Sequence, residues 1–237
     1  MNINSLTDKL RFTRISLFEG ISQNDQALIR KNAVMMEEKK GTLLFKEGFY
    51  PQGVYLIHKG VLKIYQVNKD GDNQIVDFYS AGDLAGFRPI ISNEANPVTA
   101  ETLEDSMVLY IPKKYFLEVL RRSPVLSNRL LSALSHEFTV WVNRVSIFTQ
   151  QSIKENIALT LLILDEKYGR NTKKGAPVVI NLPRKDFANY VGTTVETLVR
   201  VLRIYKDEHI ISTKGRSITI TDKNKLSVKL GETLFTA

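Results

Sequence analysis

Over the first 122 residues, apolar and polar positions alternate in short runs separated by Gly41, Gly48, Gly53, Gly60, Gly71 and Gly82. The runs fall at 42–45, 54–57, 61–65 and 74–78, with later ones at 98–103 and 107–111. Period-two alternation between turn residues predicts strands, and many short, regularly spaced strands predict a barrel or a double-sheet roll. Asp70-Gly71 reads as a hairpin turn.

Past residue 122 the period changes. Leu131, Leu134, Phe138, Trp141, Val145 and Phe148 recur at steps of three and four, a heptad seam that predicts a dimerisation helix over 123–148. A second stripe, Leu130, Ala133, Val140 and Ile147, can pack on the chain's own strands. The two-sided pattern also fits a long helix buried within one subunit. Ile157, Leu161 and Leu164 predict a further helix over 154–168, ended by Tyr168-Gly169-Arg170-Asn171, with an exposed loop at Lys173-Lys174-Gly175.

The next forty residues are the most specific. Phe187, Ala188 and Val191 predict a helix over 184–191, Gly192 gives a tight turn, and Thr193 suits the N-cap of a helix over 194–207. Val195, Leu198 and Leu202 form its expected buried stripe, which leaves Thr194, Glu196, Thr197, Arg200 and Arg203 outside. Runs at 210–213 and 217–220 flank Lys214-Gly215-Arg216 as a basic hairpin. Helix, glycine turn, helix and hairpin in this order suit a winged helix-turn-helix. The predicted fold is therefore α+β: a double-stranded, jelly-roll-like β-roll over 1–122, a long central helix over 123–148, and a winged helix-turn-helix over 149–237.

Glu196 and Arg200 lie one helical turn apart. In a major groove an arginine can grip guanine O6 and N7 while a glutamate accepts from cytosine N4, so one G·C pair satisfies both, with Thr197 beside them. The same residues also fit a Thr193–Glu196 capping box and an ordinary ion pair. Thr194, Arg203, Lys214 and Arg216 are placed for phosphate contact; a solvated hairpin tip is the plain alternative. From residue 149 onward the chain has 15 Lys and Arg against 9 Asp and Glu, whereas the preceding part has 18 against 16. A basic module joined to a near-neutral one is the footprint expected of a double-stranded DNA partner.

Composition narrows the classes further. The chain of 237 residues contains no cysteine, which removes disulfides, thiolate zinc sites and cysteine-held iron–sulfur clusters. Its three histidines, His58, His136 and His209, are scattered and form no ligand motif. No nucleophile–base motif or phosphate loop points to an enzyme, and no metal is expected. No apolar run reaches the roughly 18–20 residues of a spanning helix, so no membrane partner is expected. Residues 1–9 lack the apolar core of a leader, so the expected location is cytoplasmic.

Gly41-(x)3-Phe45-Lys46-Glu47-Gly48, Val54-Tyr55-Leu56-Ile57-(x)2-Gly60 and Ala81-Gly82-Asp83-Leu84 resemble the cyclic-nucleotide-binding β-roll. Together with Thr194-Val195-Glu196-Thr197-(x)2-Arg200, the stretch 15–222 resembles the CRP/FNR superfamily of bacterial transcription regulators, in its FNR-like branch. The resemblance implies a homodimer whose β-roll senses a signal and whose paired helices bind a pseudo-palindrome. It implies that Glu196 and Arg200 read the G·C pair of a TGA-containing half-site, and that RNA polymerase is a partner. Val195 and Val199 depart from residues common in the two branches, which leaves the flanking bases open.

The resemblance also marks an effector pocket at Gly82, Asp83, Phe87, Arg88, Val98 and Thr99. Relatives that bind cyclic AMP carry a glutamate for the ribose and an arginine for the phosphate. Here the matching stretches read Gly86-Phe87-Arg88 and Val98-Thr99-Ala100, so both charged positions are lost and the usual pose loses its charge-assisted contact. Arg88 either serves an anionic ligand from a shifted position or forms an ion pair. No cofactor is expected, and the effector is unassigned. A β-roll module acting through protein contacts is the alternative function.

Overall fold

In the computed structural model, which describes residues 19–69 and 71–230, the glycine-punctuated runs form the expected strands. Asp70 and the stretch 1–9 behind the leader reading lie outside the described residues. The strands are β1 (Val34–Glu38), β2 (Leu43–Phe45), β3 (Gly53–Lys59), β4 (Val61–Val67), β5 (Asn73–Ser80), β6 (Leu84–Ala85), β7 (Thr99–Thr102) and β8 (Ser106–Pro112). They make two four-stranded sheets, ordered β1-β8-β3-β6 and β2-β7-β4-β5. The late strands β7 and β8 thus insert between early ones, and β8 runs antiparallel to both β1 and β3. That pairing of distant segments makes a roll rather than a row of hairpins.

Residues 19–68 and 76–137 form one compact unit, and residues 69, 71–75 and 138–230 form another. In the first, α1 (Gln23–Asn32), α2 (Phe87–Ser92), α3 (Lys113–Arg122) and the start of α4 (Pro124–Gln150) enclose an apolar core with β3 and β8. Ile29, Val54, Phe87, Ile111, Phe116, Val119 and Leu126 are fully buried there. A second cluster, including Ile57, Leu62, Ile64, Ala100 and Val108, fills the space between strands. Burying each such side chain contributes about 1.5–3 kcal/mol.

Helix α4 matches the predicted central helix. Its buried stripe runs Leu126, Leu130, Ala133, Glu137, Val140 and Arg144, at steps of four and three, while Ile147 is only half-buried. Two charged residues therefore sit in a stripe that the sequence presents as apolar.

The second unit contains α5 (Ile153–Gly169), β9 (Ile180–Asn181), α6 (Arg184–Val191), α7 (Val195–Asp207), β10 (Ile211–Lys214), β11 (Ser217–Ile220) and α8 (Lys223–Val228). Ser152 and Glu155 start α5 with a capping box. The helix is buried all round: Ala158, Leu159, Leu162 and Ile163 join the expected Ile157, Leu161 and Leu164. It is the core on which the other helices rest. Among the described residues no helix is long and apolar enough to cross a membrane.

Gly60, between β3 and β4, has φ +104°, and an added Cβ would meet Ser106 Oγ at 2.1 Å. Gly60→Ala should therefore lower the unfolding free energy by at least about 1–3 kcal/mol. A urea titration should show a lower midpoint at unchanged slope.

Candidate nucleic-acid interface

Helix α6 buries Phe187, Ala188 and Val191, and Gly192 ends it in the left-handed conformation at φ +76°. The amides of Gly192 and Thr193 both donate to the Ala188 carbonyl. Thr193 therefore belongs to the end of α6, and α7 begins one residue later than its sequence suggests. Thr194 is the N-cap instead: its Oγ1 accepts the Thr197 amide at 3.1 Å and donates to the Thr197 hydroxyl at 3.1 Å. The Thr193–Glu196 capping box does not form.

The face of α7 that turns inward consists of Leu198, Val201, Leu202 and Tyr205. Val195, expected in that stripe, is 42% exposed, because the one-residue shift of the start leaves it in the open first turn. Tyr205 donates to the Lys154 carbonyl at 2.9 Å, which ties α7 to the start of α5. The outward face carries Glu196, Val199, Arg200 and Arg203, all exposed, with Thr197 half-buried. Among the described residues, the side chains of Glu196 and Arg200 have no ion-pair or hydrogen-bond partner, so the ordinary ion pair is not made. Arg203 lies 3.9 Å from Asp207, both well exposed, a contact that solvent leaves with little strength.

Beside α7, β10 and β11 pair from Ile211↔Ile220 to Lys214↔Ser217, with Gly215 and Arg216 as the connecting turn. Strand β9 adds a third member to this sheet. Lys214 and Arg216 extend from the tip, exposed and with no side-chain partner among the described residues. Sequence reasoning missed what holds this tip. Arg184, the first residue of α6, donates to the Arg216 carbonyl at 2.9 Å and to the Gly215 carbonyl at 3.2 Å. Loss of water around it pushes its pKa below the ordinary arginine value. The contact spans some thirty positions and leaves no local pattern. The same unit includes the turn before β5, where Lys185 pairs with Asp72 at 2.9 Å and Asn189 donates to the Asn73 carbonyl at 2.9 Å.

On α4 the heptad positions Leu131, Phe138 and Val145 are exposed, Phe138 at 73%. Val142 is exposed as well, while Leu134, Trp141 and Phe148 are half-buried. The Phe148 ring meets Tyr190 of α6 edge-on, with centroids 6.2 Å apart.

The six candidate pocket residues serve the roll's own contacts. Phe87 is 0% exposed and belongs to the core, because Gly86 opens the short helix α2, which turns that ring inward. Arg88 follows on α2, where the Glu137 Oε2 accepts from its Nε at 2.8 Å and its Nη2 at 2.6 Å. Its Nη1 donates to the Tyr79 hydroxyl at 2.8 Å. Of the two expectations for Arg88, the ion pair is the one the structure contains. Burial pushes the Tyr79 hydroxyl up to about 12. Burial also raises the Glu137 carboxyl, against the pull of Arg88. Gly82 and Asp83 form a turn braced on β3: Gly82 donates to the Ile57 carbonyl, and Asp83 Oδ2 accepts the Ser80 amide at 2.9 Å. Buried Thr99 accepts the Glu47 amide at 3.0 Å, and half-buried Val98 packs on the second core cluster. An open cavity of about 440 Å³ lies elsewhere in the roll, lined by Leu44, Phe45, Phe49, Tyr50, Tyr55 and Asn96 among others. Glu137 did have a signal in the sequence: it is a charge at a buried step of the α4 stripe.

Residues 36–123 match the cyclic nucleotide-binding domain family, and residues 155–228 match the Crp-like helix-turn-helix domain family. The chain is 31% identical over 206 residues to the fumarate and nitrate reduction regulatory protein of Vibrio cholerae, covering 87% of this chain and 80% of the relative. To the protein of that name in Escherichia coli K12 it is 30% identical, over 90% of this chain and 83% of the relative. Its fold is similar to that of FixK2 from Bradyrhizobium japonicum, with TM-score 0.73, 22% identity, and coverage of 84% and 98% of the two chains. A CRP/FNR-family transcriptional regulator from Thermus thermophilus superposes with TM-score 0.63 at 20% identity, covering 83% and 98%. These relatives are regulators rather than enzymes, and they do not favour the alternative of a module without sequence-specific DNA binding.

The Arg88–Glu137 pair offers a test of how the roll holds α4. Removing one partner of a buried pair costs about 3–5 kcal/mol, and partial exposure of Arg88 reduces this to about 1–3. Glu137→Ala should lower the urea midpoint accordingly, and the double variant Arg88→Met/Glu137→Leu should recover most of the loss. No recovery would mean that the pair is not the source of the effect.

Proposed function

The chain belongs to the CRP/FNR family of transcription regulators, and on that premise we propose that it acts as a cytoplasmic homodimer reading a pseudo-palindromic, TGA-containing site. Glu196 and Arg200 address one G·C pair of each half-site, Thr197 stands beside them, and Thr194, Arg203, Lys214 and Arg216 engage the backbone. The observation that carries this reading is the Thr194 cap. By satisfying the first turn of α7 itself, it leaves the Glu196 and Arg200 side chains exposed, one turn apart and without a protein partner among the described residues. The Thr197 hydroxyl accepts from Thr194 and keeps its own hydrogen to donate to a base.

The dimer forms along α4 through Leu131, Leu134, Phe138, Trp141, Val145 and Phe148. Leu131, Phe138, Val142 and Val145 support it, as large apolar side chains exposed on one helix. A two-fold axis along α4 sets the two copies of α7 about 34–36 Å apart, one turn of duplex. RNA polymerase is the partner through which the bound dimer acts.

Signal input enters through the roll, but not as cyclic AMP in the usual pose. The usual pose pairs the cyclic phosphate with an arginine, and Arg88 is engaged by Glu137 and Tyr79. A cysteine-held iron–sulfur cluster does not fit a chain without cysteine. The effector, if the roll binds one, acts by changing the population of DNA-competent dimers.

Arg200→Ala should lose about 1–3 kcal/mol of DNA binding and relax discrimination at one base pair. Lys214→Ala or Arg216→Ala should weaken all sequences almost evenly and flatten the salt dependence by about one unit of slope. Anisotropy titrations at two salt concentrations distinguish these outcomes; uniform weakening by Arg200→Ala would reduce that residue to a backbone contact. Phe138→Glu should convert dimer to monomer in sedimentation velocity, and an unchanged dimer would remove α4 from the interface.

A further inference from the structure

We propose that Val195 and Val199 form an apolar reading ridge that selects thymine through its C5 methyl group, flanking the G·C pair read by Glu196 and Arg200. The inference rests on the base-reading role of α7 and extends it to the bases on either side.

Val195 and Val199 are 42% and 48% exposed. They are one turn apart, as are Glu196 and Arg200, so α7 presents two parallel ridges, one apolar and one charged. Both ridges begin in the first turn, the end of a reading helix that meets base edges. Single exposed valines are common and require no explanation. A valine pair here does require one. Val is a poorer helix former than Ala, Leu, Lys or Arg, and with nearly half of each side chain in water packing offsets this only in part. Nor can a valine hydrogen-bond a phosphate, so its contribution to DNA binding must come from the bases.

The major groove presents one apolar group, the thymine C5 methyl. A valine against that methyl buries apolar surface on both sides. A valine facing the N4 amine of cytosine or the N6 amine of adenine leaves a donor without water or partner, which counts against those bases. The ridge thus both favours thymine and rejects amino-bearing bases. Its direction is set by the Thr194 cap, which fixes the turn that carries Val195.

The test uses the full chain and a duplex enriched from a random library. Each thymine of the enriched half-site is replaced in turn by deoxyuridine, which removes only the methyl. Anisotropy should show about a fourfold loss of affinity at each contacted position, as expected for one buried carbon. Val195→Ala and Val199→Ala should each bind the thymine and uracil duplexes equally at one position. Placing 5-methylcytosine where cytosine has replaced that thymine should recover part of the loss for the parent protein alone. Uracil tolerated at every position, with Arg200→Ala still relaxing its G·C pair, would overturn the valine ridge and leave the base-reading role intact. Enrichment of no sequence would overturn both.

Discussion

The burial of one face of α7 governs what the rest of the second unit can do. Leu198, Val201, Leu202 and Tyr205 are the side chains withdrawn from water, each contributing about 1.5–3 kcal/mol, and Tyr205 anchors the helix to the start of α5. With that face fixed, the rotation of α7 about its axis is fixed, and so is the set of side chains that faces outward. A turn of one residue, about 100°, would bring Val195 inward and carry Glu196 and Arg200 together to a different bearing. Base recognition requires side chains held within a fraction of an ångström, and only a packed inner face provides that.

Much of this was legible in sequence, for physical reasons. Glycines, most of them with positive φ, and period-two runs located six of the roll's eight strands. The two missed strands explain themselves. Strand β1 exposes Val34 and Met35 on a sheet edge, so its alternation carries little signal, and β6 is two residues long. The helical periods located α4 to α7 to within a residue or two. The one-residue error at the start of α7 arose because Thr193 and Thr194 cap equally well. Which of them does so is decided by the end of α6, whose last carbonyl bonds extend through Thr193. The role of Arg184 was illegible because its partners lie about thirty positions away, and Glu137 showed only as a charge in an apolar stripe, without its partner Arg88. Long-range polar contacts leave no periodic trace.

The roll uses its motif residues in its own architecture. The turn at Gly82–Asp83, the buried Thr99 and the α2 segment occupy their expected places, yet each satisfies hydrogen bonds of the roll. Arg88 pairs with a carboxylate of the chain, Glu137 on α4. The pair thus ties the roll to the first half of α4.

The Thr194 cap separates two demands that often fall on the same residues. A threonine outside the helix caps the Thr197 amide, so Glu196 and Arg200 are not needed for that cap. Exchanging Glu196 or Arg200 leaves the cap and the buried face of α7 in place. Under the proposed base-reading role, a lineage carrying this arrangement can change its target sites while the buried face and the cap stay constant.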